Sequence, residues 1–331
     1  MKNAIFKPHY FFLLVIVLVA LCGVFVYFSQ SSISYSLDDP AYNKEYWNQE
    51  INRTGPVNAY KAFLEKLKEE SYTRTHFSAH AMGQALFERQ GMRGIAVCDG
   101  SFDFGCYHGF SLRAIAQGGK SALLELDTAC TQSFGPLSGC KHGLGHGLLE
   151  YVGHSHIDRA LEMCKTFVYQ PVPLLGCTSG VFMEYLTPLL VVEPVSRAFD
   201  PANPYTPCTE VDEEFRASCY FELGQWLRRT EGVDYGALCG ALTEDYARYC
   251  FLGIGVDLVR GWKDSETLIQ KCARYEKEHE FSCRAGASWA LIYDGASNSV
   301  CEYSDVALTE ECKKTADLTE GLDVSIGESL Q

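Results

Sequence analysis

The sequence predicts an all-α fold: an α-solenoid of about seven to eight helical hairpins, stapled by disulfides and carried behind an N-terminal transmembrane helix. Three observations predict it. A long uncharged apolar run stands at the amino terminus, the cysteines fall in evenly stepped pairs, and the segment after each second cysteine carries apolar residues at helical spacing.

The apolar run, Tyr10 to Phe28 (YFFLLVIVLVALCGVFVYF), holds nineteen residues without a charge, which is enough to cross a bilayer as a helix. Residues 10–28 read as a signal-anchor. A cleavable signal would have a shorter apolar stretch and a small-x-small exit, whereas this run ends in SQSS. A lipoprotein site at Cys22 is disfavoured by Leu21 before it and by six further apolar residues after it. Lys2 and Lys7 place residues 1–9 in the cytoplasm, so the bulk of the chain lies outside, extracellular or periplasmic.

Beyond the anchor, residues 29–55 read as a polar, acidic linker, 56–318 as the helical-repeat domain and 319–331 as a flexible tail. A hydrophobic content of 47% over 331 residues supports a well-buried interior. The net charge is −14, and without the two anchor lysines 26 basic residues face 42 acidic ones, which excludes nucleic acid as a natural partner.

Of fifteen cysteines, one lies in the membrane run and fourteen remain for an oxidising compartment. Their spacing pairs Cys98 with Cys106, Cys130 with Cys140, Cys164 with Cys177, Cys208 with Cys219, Cys239 with Cys250, Cys272 with Cys283 and Cys301 with Cys312. Second cysteines recur at steps of 34, 37, 42, 31, 33 and 29 residues, the period range of helical-hairpin repeats. Segments such as SALLELDTAC and DSETLIQKC before the first cysteine, and CKHGLGHGLLEY and CRAGASWALI after the second, read as the two helices of each unit. VNAYKAFLEKLKEE and HFSAHAMGQALFE form a further unit upstream without cysteines, and EPVSRAFDPANPYTPC is a proline-rich insertion.

In architecture the chain resembles the Sel-like, tetratricopeptide-related repeats, through helix ends such as TAC, loops ending in SGC, an LG two to four residues later and a following tyrosine. The likeness covers most of residues 57 to 318. It implies an α-solenoid with binding surfaces and does not imply an activity.

Seven of the nine histidines lie between residues 76 and 156. Two residues after the second cysteine, or its equivalent, come His80, His108 and His142, and His146 follows one turn after His142. Equivalent positions of neighbouring repeats line one surface, so these side chains are expected to converge. Neutral imidazoles suit zinc, copper or iron, and three or four are needed for a tight site. The candidate metal ligands are therefore His80, His142 and His146, with His108 and Glu150 or Glu88 in support. His76 and the pair His154 and His156 read as structural, and the carboxylates Glu150, Glu184, Glu222 and Asp257 as solvated helix faces.

The H-E-x-x-H protease pattern is absent because Gly143 stands where its glutamate would be, and no C-x-x-C-H, phosphate loop or G-x-S-x-G occurs. Glycines at 143, 145, 147, 180, 224, 255 and 286 read as packing positions. Two other readings stand beside the metal site: a non-enzymatic scaffold holding a peptide or protein in its groove with structural histidines, and metal-free acid-base chemistry on an unnamed substrate.

Overall fold

The computed structural model describes residues 40–70, 72–102, 104–134, 139–167, 176–187, 197–293, 296 and 299–316. The expected cytoplasmic segment 1–9, transmembrane segment 10–28 and tail 319–331 lie outside the described residues. Among the described residues no helix is long and apolar enough to cross a membrane.

Thirteen α-helices and no strand occur among the described residues. They are α1 (Pro40–Thr54), α2 (Pro56–Leu67), α3 (Tyr72–Gln90), α4 (Gly105–Phe134), α5 (Gly139–Val152), α6 (Ile157–Cys164), α7 (Cys177–Leu186), α8 (Glu213–Arg229), α9 (Tyr235–Gly240), α10 (Glu244–Leu258), α11 (Ser265–Cys272), α12 (Lys277–Tyr293) and α13 (Val306–Ala316).

Local chemistry sets several of these boundaries. The first turn of α2 carries Pro56, whose fixed φ suits that position, and the helix turns Ala59, Tyr60, Phe63 and Leu67 into the core. Asp234 and Asp264 cap α9 and α11 by accepting the backbone N–H of Ala237 and Thr267. Gly119, at φ 55°, breaks α4 into two helices in direct succession. Its first half thus belongs to one repeat and its second half, with Cys130, to the next.

The segment read as a linker needs correction. Residues 40–54 form α1, and Trp47 and Ile51, one turn apart, are buried. The Trp47 ring meets Phe63 edge-on at 5.2 Å. These two apolar anchors act with the buried Asn43 and Asn48 and with bonds from Lys44 and Asn48 to Glu88, and they leave little trace in local composition.

All seven expected disulfides are present, with Cα–Cα separations of 5.4 to 5.7 Å, and every bonded cysteine is buried. Several tie the end of a short helix to the start of a longer one, as Cys164 of α6 does to Cys177 of α7. Each closes a short loop and contributes about 2–4 kcal/mol by restricting the unfolded chain. So many disulfides point to an oxidising compartment.

Starting from α3, which has no cysteine, the helices that carry the second cysteines form a row in which α3, α4, α5, α7, α8, α10, α12 and α13 each pack on the next. Close backbone approach holds the row together. A Cβ at Gly145 of α5 would collide with the Cys177 carbonyl of α7, and one at Gly180 of α7 with the His142 carbonyl of α5. The packing role expected of these glycines follows from that contact. Gly145→Ala is expected to lower stability by about 1–3 kcal/mol, because the clash is with rigid backbone. The midpoint of denaturant unfolding measures it.

Candidate metal centre

Three neighbouring helices of this row deliver five histidines to one place. His76 and His80 stand one turn apart on α3, His108 lies in the first half of α4, and His142 and His146 stand one turn apart on α5. None exceeds 6% exposure. Ring centroids are 4.6 Å apart for His76 and His80 and 4.9 Å for His142 and His146. His108 sits between the pairs, at 5.2 Å from His76, 5.4 Å from His80, 5.4 Å from His142 and 4.1 Å from His146. Two sets of nitrogens are each close enough to hold an ion, His76, His80 and His108 in one and His108, His142 and His146 in the other.

Hydrogen bonds around the cluster assign the tautomers. The His146 Nδ1 lies 2.8 Å from Glu184 Oε2, so its N–H donates to that buried carboxylate and its Nε2 keeps a lone pair. At His142 the partner is Ser179, whose Oγ is 3.2 Å from Nδ1. The one hydroxyl hydrogen of Ser179 goes to Glu222 Oε1, and Gln225 donates to the other oxygen of that carboxylate at 2.9 Å. With Glu222 ionised, Ser179 accepts from His142 Nδ1–H, and with His142 neutral its Nε2 also keeps a lone pair.

These two lone pairs face each other, with His142 Nε2 and His146 Nε2 only 3.1 Å apart. In that state the two nitrogens repel unless a proton or a metal ion lies between them. The first pair differs. His76 Nδ1–H donates to the Phe102 carbonyl at 2.8 Å, which leaves His76 Nε2 as an acceptor, and His80 Nε2, 3.1 Å away, is able to donate to it. Phe102 has φ 55°, a rare conformation for a bulky residue, beside the cluster it serves.

Neither nitrogen of His108 has a hydrogen-bond partner among the described residues, and the ring is 0% exposed. A neutral imidazole always carries one N–H, and leaving it unmatched in a dry interior costs about 1–3 kcal/mol. Burial, and secondarily the neighbouring imidazoles, hold His80, His108 and His146 well below the ordinary histidine pKa. Neutral imidazoles are the form that binds a metal ion.

His80, His108, His142 and His146 thus come together as their register implies, and His76, read as structural, joins them. Glu150 does not. It lies a turn beyond His146, outside both histidine sets, and accepts from His154 Nε2 at 2.8 Å, and these two group with Glu184, the carboxylate that bonds His146. Glu88 pairs with Lys44, Asn48 and Arg113, away from the histidines. The solvated-face reading of the other carboxylates also needs correction, since Glu184, Glu222 and Asp257 are at most 2% exposed. Asp257 is buried against Arg228, Arg229 and Arg260. Each of these helices has neighbours on both sides in the row, so a polar face of its sequence still turns inward.

The residues that sequence reasoning missed are Ser179, Glu184 and Glu222. Ser179 stands two residues after Cys177, the same register as His108 and His142, and that register was the available signal. The chain matches no protein-family model, no curated protein and no solved structure.

Proposed function

We propose that this chain is a membrane-anchored, extracytoplasmic helical-repeat protein whose N-terminal repeats bind a divalent transition metal through buried histidines. The observation that carries the reading is the convergence of His142 Nε2 and His146 Nε2, 3.1 Å apart, with a His108 nitrogen close to both. Their opposite nitrogens donate to Glu184 and to the Ser179–Glu222 pair, and such outer hydrogen bonds orient metal-binding imidazoles and raise their basicity. Zinc, copper and iron are the ions that imidazole suits. The fourteen stapled cysteines are unavailable as thiolates.

Burial of all five imidazoles favours a closed centre that locks α3, α4 and α5 together over an open hydrolytic one. The same reading takes residues 10–28 as the anchor and the row of helices as an α-solenoid of the Sel-like, tetratricopeptide-related kind. A peptide scaffold with merely structural histidines accounts for His76 and His80, which are able to bond each other. It gives no reason for a third buried imidazole, His108, to stand between the pairs with neither nitrogen hydrogen-bonded among the described residues.

Elemental analysis of the untagged full-length chain, purified in detergent without chelators, tests the proposal. The expected result is at least one equivalent of zinc, copper or iron per chain. Only traces, before and after incubation with each metal, would overturn it.

A further inference from the structure

We propose that His108 is a bridging ligand, its two ring nitrogens binding two metal ions, one held with His76 and His80 and the other with His142 and His146. This rests on the metal reading of the cluster and extends it to a two-ion centre. His108 is the one histidine common to both sets of converging nitrogens, and it stands between the pairs with ring separations of 4.1 to 5.4 Å. A single ion would use one of its nitrogens and strand the other, with its hydrogen, among imidazoles that offer it no hydrogen-bond partner. Two ions engage both. On binding the second ion, His108 gives its remaining N–H proton to solvent and becomes an imidazolate. In that step one N–H bond breaks and one metal–nitrogen bond forms beside the one already made, and no electron is transferred.

The two halves are unequal. Glu184 and the Ser179–Glu222 pair back His142 and His146, whereas the Phe102 carbonyl backs His76. Carboxylates one hydrogen bond from the ligands favour a doubly charged ion, so the half with His142 and His146 fills first and the half with His76 and His80 second.

Copper(II) titration of the metal-stripped full-length chain, followed by electron paramagnetic resonance, tests the bridge. The first equivalent is expected to give an isolated copper signal. The second is expected to diminish that signal and replace it with that of a spin-coupled pair, because an imidazolate couples the two spins. His80→Ala is expected to bind one equivalent and to keep the isolated signal throughout. A wild-type chain that binds one equivalent, or two with additive, uncoupled signals, overturns the bridge and leaves the metal reading standing. A chain that binds no copper and likewise no zinc overturns both.

Discussion

Replacing His142 and His146 together by alanine is expected to abolish tight metal binding to their half of the cluster. Three imidazoles make that half, and one His108 nitrogen cannot hold an ion alone. The effect is best read as a difference within each chain. An ion at 100 to 1,000 times its dissociation constant stabilises the folded state by about 2.7–4.1 kcal/mol. The wild-type chain should therefore lose several degrees of unfolding temperature when a strong chelator is added. The double variant should show a much smaller shift, or none. Comparing chelated with loaded protein cancels any packing loss that the substitutions cause in both states.

Ser179→Ala is expected to weaken metal binding by about 10–100-fold without removing any ligand. With Glu222 ionised, its hydroxyl holds the hydrogen of His142 on Nδ1. Once it is gone, that hydrogen is free to move to Nε2 and be donated to His146 across the 3.1 Å gap. That metal-free hydrogen bond competes with the ion for the same two nitrogens. Glu222 still accepts from Gln225, so its carboxylate is not abandoned. A competition titration against a chelator of known affinity measures the change, and an unaltered affinity would show that the tautomer of His142 does not govern the site.

Much of this centre was legible in the sequence because repeats convert register into proximity. His80, His108 and His142 share a position after the second cysteine or its equivalent, and α3, α4 and α5 are consecutive members of the row, so the rings meet. The disulfide pattern was readable for a similar reason: each pair joins cysteines 8 to 13 residues apart, the second of them on a helix. His76 escaped because an i, i+4 partner of a ligand looks the same in sequence whether it faces the cluster or simply packs.

Glu184 and Glu222 escaped for a different reason. Amphipathic patterning presumes one dry face and one wet face, and a helix flanked by neighbours on both sides has little wet face left. Its acidic residues then become buried hydrogen-bond acceptors, a role that only the packing reveals. Glu150 was misplaced by extending the ladder from His142 and His146 by one turn too many, to where α5 leaves the cluster and meets His154. The docking of α1 combines Trp47 and Ile51 with buried asparagines and the Lys44 and Asn48 bonds to Glu88, a mix that sets no recognisable apolar pattern.

The central claim, that a metal ion lies between the facing nitrogens of His142 and His146, is tested most directly by anomalous diffraction. Crystals of the full-length chain would be measured on either side of the absorption edge of the metal found by elemental analysis. The account predicts an anomalous peak within about 2.0–2.2 Å of both Nε2 atoms and of one His108 nitrogen. A map with no peak there, in which Nε2 of His142 simply hydrogen-bonds Nε2 of His146, would contradict it.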